Sequence, residues 1–329
     1  MARRATRIDP VIALKEFYGI EARRPLVRLP HTTLEISVTD TDISRFLVLG
    51  SASPDLLRQT SESLAGRIAF YELPGLSRAE LGAKTLDRHW LRGGFPRSYL
   101  ARSGPASLEW RRDFIRTFLE RDLQQFGVRI GAPTMRRFWT MLAHYHGQLW
   151  NGSELGRAFG VSDTTVRHYL DILDATFMVR ALLPWRANVR KRQVKAPKVY
   201  IADSGILHAL LDIDSSSALE AHPKVGASWE GFMLETVVQH LGLRREQCYF
   251  WRTHGGAELD LFVTSGRRRL GFEFKRTTAP KLTLSMRSAL EDLQLTRLDV
   301  VHAGPETFPL HKRVRAVAAS RLLEDVEPL

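Results

Sequence analysis

The sequence carries a single cysteine, Cys248, in 329 residues. One thiol excludes an internal disulfide framework and a Cys-rich zinc site. It fits a reducing compartment, so a cytoplasmic location is expected. No apolar run approaches the about 18 residues a membrane span requires, and no membrane partner is expected. The start, MARRATRIDPVIALKEFYG, is basic but has no apolar core and no small-residue cleavage site, so no signal peptide is expected. Negative charge is in deficit as well. There are 36 Asp and Glu against 48 Lys and Arg, a formal net charge of +12 and a pI near 10.2. That surplus favours a polyanionic partner, nucleic acid ahead of a membrane surface. Hydrophobic residues make up 44%, which supports real cores and argues against global disorder. The length suggests about two domains, with room for three small ones.

Along the chain, Phe46-Leu47-Val48-Leu49 is a continuous apolar run of the kind found in buried parallel strands. A helix is predicted after it, capped by Ser53 with Pro54 at its first position and ending near Gly66. Residues 107–128 and 133–148 have apolar positions at helical spacing. Residues 153–159 and 163–175 form two short helical patterns around Gly160-Val161-Ser162, with Leu155, Phe159, Val161, Val166, Leu170 and Leu173 on the inner faces. This is helix-turn-helix spacing. A strand over 176–185, a basic loop and a return strand at Val199-Tyr200-Ile201 would make it a winged helix. Later segments alternate between strand and helix up to a strand at 298–302, an order that predicts a mixed α/β unit.

Two of those strands carry the sharpest chemistry. Glu258-Leu259-Asp260 puts two carboxylates on one face of a strand, and Glu273-Phe274-Lys275 does the same with a carboxylate and an ammonium. A hairpin through Ser265-Gly266-Arg267 would bring the faces together. Carboxylates around one point suit Mg²⁺, which takes oxygen ligands and keeps several waters. Such an ion lowers the pKa of a bound water and stabilises charge on a phosphodiester, with Lys275 beside it. Glu230 or Glu235, on the preceding helix, would add a further acid.

The pattern WRTHGGAELDLFV…GFEFKRT resembles the PD-(D/E)xK nuclease-like domain at the C-terminus of a group of prokaryotic AAA-type ATPases. Three further segments resemble the same group in the same order. FLVLGSASPDLLRQTSESLAGR is similar to its sensor-1 strand and following helix, GGFPRSYL to its Gly-Gly-aromatic-Pro segment, and APKVYIADSGIL to the junction between winged helix and nuclease-like domain. The resemblance covers about residues 46–305. It implies an α/β chain with an unassigned segment at 1–45, a truncated AAA-type remnant with helical lid at 46–130, a winged helix at 131–205, and a PD-(D/E)xK-like mixed sheet at 206–329. It makes Asp260 and Glu273 the metal ligands for Mg²⁺, Lys275 the catalytic lysine and Glu230 the helix acid. Glu235 is disfavoured because a five-residue offset turns it about 140° round the helix.

One part of the group's pattern is missing. The chain has no Gly-x-x-x-x-Gly-Lys-Ser/Thr loop and no apolar strand ending in Mg²⁺-organising acids. Gly82-Ala83-Lys84-Thr85 is only a fragment of such a loop. The expectation is a chain without the nucleotide-binding half, without autonomous ATP hydrolysis and without bound ATP. Ser51 or Ser53 then matches the sensor-1 polar group. Arg67 matches an arginine finger, or simply caps a helix C-terminus.

Nucleic-acid contact, DNA first, is expected from Thr164, Arg167 and His168 on the second helix. Arg190, Lys191, Arg192 and Lys195 would add to it from a loop, Arg186 to Lys198, with six basic residues and no acid. Three readings compete: a DNA-binding, Mg²⁺-dependent nuclease; a non-catalytic DNA- or protein-binding adaptor; and a shortened product whose strand Phe46–Leu49 exposes an edge to a second copy or a partner chain.

Overall fold

The computed structural model describes residues 72–82, 85–125, 128–186 and 195–329. The sensor-like strand and helix with Ser51, Ser53 and Arg67, and the loop residues Arg190, Lys191 and Arg192, lie outside them. The described chain is mixed α/β, organised around one nine-stranded mixed sheet. Among the described residues no helix is long and apolar enough to cross a membrane.

Helices come first. α1 (Leu86–Arg92) is followed by α2 (Gly104–Thr117), which starts from the Ser103 cap and continues through a π-helical turn at Phe118–Asp122. α3 (Ala132–His144) buries Met135, Phe138, Trp139 and Leu142, an i, i+3, i+4, i+7 stripe. After β1 (Gln148–Leu149), α4 (Gly152–Phe159) ends at Gly160, whose φ of +71° suits a residue without Cβ. α5 (Asp163–Ala175) then begins from Ser162, whose Oγ accepts the Thr165 N–H. Gly156 lets the two helices close up, since a Cβ there would lie 2.8 Å from the Val161 carbonyl. Leu155, Val166, Leu170 and Leu173 are buried as predicted, and Phe159 packs at the edge of their cluster. Val161 is exposed instead, because it belongs to the turn rather than to either helix face.

The strand predicted from 176 starts later. Thr176 still donates its N–H to Ile172 and Phe177 takes φ +59°, so β2 runs Val179–Pro184. β3 (Lys198–Ile201) pairs antiparallel with it and with β1. α6 (Ser204–Leu210) and α7 (Val225–His240) lead to β4 (Cys248–Arg252), β5 (Glu258–Ser265) and β6 (Arg268–Lys275). β5 and β6 are joined by Gly266-Arg267, a two-residue turn with Gly266 at φ +58°. α8 (Leu284–Asp292) crosses over to β7 (Arg297–His302), and two strands with no counterpart in the sequence reading follow, β8 (Phe308–His311) and β9 (Val314–Ala318).

The sheet order is β1-β3-β2-β4-β5-β6-β7-β9-β8. Between its third and fourth strands is a parallel junction in which Leu183 and Pro184 of β2 face Tyr249 and Phe250 of β4. Strands on both sides of residue 205 therefore share one sheet. One core packs α7 (Trp229, Met233, Val237) on Leu261, Val263, Phe272 and Phe274, and also takes in Trp90 of α1 and Tyr200 of β3. A second joins α2 and α3 to α4 and α5, and a third packs α8 on Leu259, Phe262 and Val300.

Candidate functional site

The four residues expected to carry the chemistry converge. Glu230 comes from α7, Asp260 from β5, and Glu273 and Lys275 from β6. The Lys275 ammonium is 2.8 Å from Glu273 and 3.8 Å from Asp260. Asp260 Oδ2 also accepts the Phe274 N–H at 3.0 Å, so the carboxylate is fixed against the backbone of the neighbouring strand. Here β5 is irregular. Tyr249 faces Phe262 but Trp251 faces Leu259, which leaves one extra residue on β5 around Asp260 and Leu261. A bulge of this kind re-aims a side chain, and it lies next to the acid that needs aiming.

Two residues complete the cluster. Lys198 Nζ lies 3.2 Å from Glu230 and 3.6 Å from Asp260, and it pairs with Glu258, which Arg252 also holds at 3.3 Å. Tyr200 donates its hydroxyl to Glu230 Oε1 at 2.5 Å. The basic run from Arg186 predicts that Lys198 ends a loop facing nucleic acid. It is instead a strand residue with a side chain 4% exposed, because β3 carries its alternate positions 198 and 200 into the site. Glu230 depends on Gly231 as well, since a Cβ there would meet His146 Nε2 at 2.4 Å and lift α7 off β3. Glu235 points elsewhere and forms a two-toothed ion pair with Arg180 at 2.5 and 2.8 Å.

The electrostatics follow from burial and crowding. Burial, then the Asp260 charge, pushes Glu273 well above the usual carboxylate range, and the two carboxyls share a hydrogen bond. Burial also acts on Asp260, but Lys198, Lys275 and the Phe274 N–H outweigh it and hold it low. Glu230 is pushed up to about 7 by burial and by Asp260, against Lys198 and Tyr200. Lys275 is raised, its burial being outweighed by Asp260 and Glu273. It is also the open member of the group, with its side chain 45% exposed.

At Asp260 and Glu273 two carboxyls are buried and crowded together, which is what raises Glu273, and a positive charge beside them relieves that crowding. Should a hard divalent ion bind here, Asp260 and Glu273 are the two carboxylates that could hold it, oxygen donors of the kind Mg²⁺ takes. They do not form a larger acidic cage. Among the described residues no group of three or more His, Cys, Asp and Glu is spaced to hold a metal, and Lys198 stands among Glu230, Glu258 and Asp260. His144 and His146 do not form a pair of ligands either. His146 is buried, and its Nδ1 accepts the Ile201 N–H at 2.9 Å.

Residues 83–217 match a family described as a domain of unknown function (DUF8612), and residues 225–322 match a second domain of unknown function (DUF4143). Two mycobacterial proteins, Uncharacterized protein Rv2008c of Mycobacterium tuberculosis (strain ATCC 25618 / H37Rv) and Uncharacterized protein Mb2031c of Mycobacterium bovis (strain ATCC BAA-935 / AF2122/97), are each 52% identical to the chain over 323 residues. The alignment takes in 97% of this chain and 73% of each relative. The chain belongs to their family. No solved structure matches it. DUF4143 commonly accompanies AAA-type ATPases. Its match holds Glu230, Asp260, Glu273 and Lys275, whereas Lys198 and Tyr200 come from the DUF8612 match.

The described residues expected to meet DNA face solvent. Thr164, Arg167 and His168 are exposed on the first turns of α5, and Lys195 is exposed on the approach to β3. Arg167 is engaged by Asp171, Nε to Oδ1 2.9 Å, one turn along the helix. The Arg267-Arg268 hairpin tip is exposed, while Arg269 donates to the Leu293 carbonyl. Cys248 is buried, which pushes its thiol up to about 12 and leaves it unreactive.

Proposed function

We propose that the chain is a nucleic-acid-binding protein with a Mg²⁺-dependent phosphodiester-cleaving site of the PD-(D/E)xK kind, set beside a winged helix formed by α4, α5, β2 and β3. One observation carries the reading: Asp260, Glu273 and Lys275, a carboxylate and a Glu-x-Lys pair on adjacent strands, lie within hydrogen-bond or ion-pair reach of one another with Glu230 beside them. Asp260 and Glu273 would hold Mg²⁺, which when bound supplies charge against the phosphate and acidifies a water. Lys275 presents a permanent positive charge on the open side, where a phosphate can approach. The Phe274 N–H holds Asp260 in place while Lys275 exchanges partners. Thr164, Arg167, His168 and Lys195 give sequence-tolerant contacts to the backbone of the nucleic acid, in keeping with the +12 charge.

A second reading, a non-catalytic DNA- or protein-binding adaptor, is favoured by a different observation. Lys198, Lys275 and Arg252 already neutralise most of the acidic cluster.

The test is cleavage of supercoiled and linear duplex DNA in Mg²⁺ or Mn²⁺ by the wild type, Asp260→Asn and Lys275→Ala. Metal-dependent nicking by the wild type, lost in both variants, is the expected result. No nicking, with salt-sensitive DNA binding kept in all three proteins, would leave the adaptor.

A further inference from the structure

We propose that Lys198 is the resident cation of the acidic site. Its ammonium fills the space between Glu230, Glu258 and Asp260 and keeps the site's affinity for divalent ions low. This rests on the site assignment above and adds a residue that the Asp, Glu-x-Lys pattern does not contain.

The geometry makes Lys198 unlike an ordinary surface lysine. Its ammonium contacts three carboxylates from two elements, α7 and β5, and its side chain is 4% exposed. The stem runs near the Phe250 ring, with Nζ 5.8 Å from the centroid. Its backbone is fixed on both sides: β3 pairs Lys198 with Leu149 of β1 and Leu182 of β2. The Trp150 N–H also bonds the preceding Pro197 carbonyl at 2.7 Å. The tether therefore sets where the positive charge sits, and little rearrangement of the main chain is open to it.

Lys275 is the more open of the two lysines. It is nearly half exposed and reaches Glu273 first, so it can turn toward a substrate without emptying the site. Removing Lys198 would leave Glu230, Glu258 and Asp260 facing one another, with Arg252 beside Glu258, Lys275 3.8 Å from Asp260 and the Tyr200 hydroxyl on Glu230. A divalent ion is the mobile species best matched to that gap, since it takes oxygen ligands and does not need a fixed lone-pair geometry. The tethered charge and such an ion compete for the same carboxylates. The half of the chain that carries α4 and α5 thus sets the metal affinity of the half that carries the acids.

The experiment is calorimetric titration of Mn²⁺ into the full chain as wild type, Lys198→Met and Lys198→Arg, with folding checked by circular dichroism. Lys198→Met is expected to bind Mn²⁺ at least tenfold more tightly than the wild type, and Lys198→Arg to stay near the wild type. Equal or weaker binding by a folded Lys198→Met overturns the proposal. If Lys198→Met does not fold alone, rescue of its folding by millimolar Mn²⁺, and not by NaCl of equal ionic strength, is the expected result. Failure of that rescue overturns it equally. The cleavage reading fails separately: a wild type that never nicks DNA, beside a Lys198→Met that binds Mn²⁺ tightly, removes the nuclease and keeps the tethered cation.

Discussion

Asp203 accepts the N–H of Gly94 at 2.7 Å, across 109 residues of sequence, while its other oxygen caps α6 through the Ile206 N–H at 2.8 Å. The Gly-Gly-aromatic-Pro segment is thereby bolted to the start of α6, directly after the strand that supplies Lys198 and Tyr200. The contact is close enough to demand glycine on both sides. A Cβ at Gly93 would lie 2.1 Å from Asp203 Oδ1, and one at Gly205 would lie 2.1 Å from the Arg92 carbonyl.

Gly205→Ala is expected to destabilise the chain by about 3 kcal/mol, because the obstacle is backbone and cannot rotate away. Gly82 has a positive φ, +81°, which Gly205, inside α6, does not, but nothing stands within 4 Å of the place a Cβ would take at Gly82, so Gly82→Ala should cost only about 1 kcal/mol. Urea unfolding of the two variants checks the ordering, and equal midpoints would refute it.

Glu235→Gln removes one partner of a largely buried ion pair and strands the Arg180 guanidinium. A loss of about 3–5 kcal/mol is expected. Mn²⁺ affinity measured on the protein that remains folded should not change, which separates this acid from Glu230.

The His208 ring is buried. Its Nδ1 faces the Leu91 carbonyl at 3.0 Å and its Nε2 faces Ser228 Oγ at 2.7 Å, and burial lowers its pKa to about 4. The unfolded ring titrates near 6.5, so below that pH the unfolded chain takes up a proton the folded chain refuses. This residue therefore removes about 1.4 kcal/mol of stability per pH unit as pH falls from 6.5 to 4. Glu230, raised to about 7, acts in the opposite direction over the same range, because the folded chain protonates it first. Comparing the pH slopes of the wild type and His208→Gln isolates the histidine. The variant should lose stability less steeply, and ring ¹⁵N shifts of His208 should stay those of a neutral imidazole down to pH 5.

On α5, Asp171 holds Arg167 in an exposed ion pair. Under the nucleic-acid reading, Asp171→Asn should tighten DNA binding several-fold at low salt by freeing that guanidinium. Arg167→Ala should weaken binding and reduce the slope of log K against log[salt] by about 0.9. Fluorescence anisotropy across a salt series reads both, and an unchanged slope in Arg167→Ala would take α5 out of the interface.

The acid–lysine cluster was legible in the sequence because strand geometry converts a two-residue spacing into a shared face, as it does for Glu273 and Lys275. Helical geometry likewise separated Glu230 from Glu235. Lys198 was not legible. Five other basic residues precede it in the segment from Arg186, and a lysine so placed is ordinarily solvated. Only the pairing of β3 with β1 and β2 turns it inward. Val161 misled for the opposite reason, since an apolar residue beside a turn glycine can satisfy the helical pattern and still stay in water. β8 contains Pro309, which weakens a strand pattern, and it lies at the edge of the sheet, where proline is tolerated. The parallel junction of β2 with β4 has no local signature at all, because neither strand encodes its distant neighbour.

That junction has a consequence in time. Leu183 meets Tyr249, and during synthesis the second emerges roughly 65 residues after the first, a delay of about 3–13 s at the usual ~5–20 residues per second. Throughout that interval β2 lacks its β4 neighbour, and Lys198, made within it, waits about 32 residues for Glu230 and about 60 for Glu258 and Asp260. The nascent chain must therefore keep an apolar strand and an unmatched charge in water until its last third arrives.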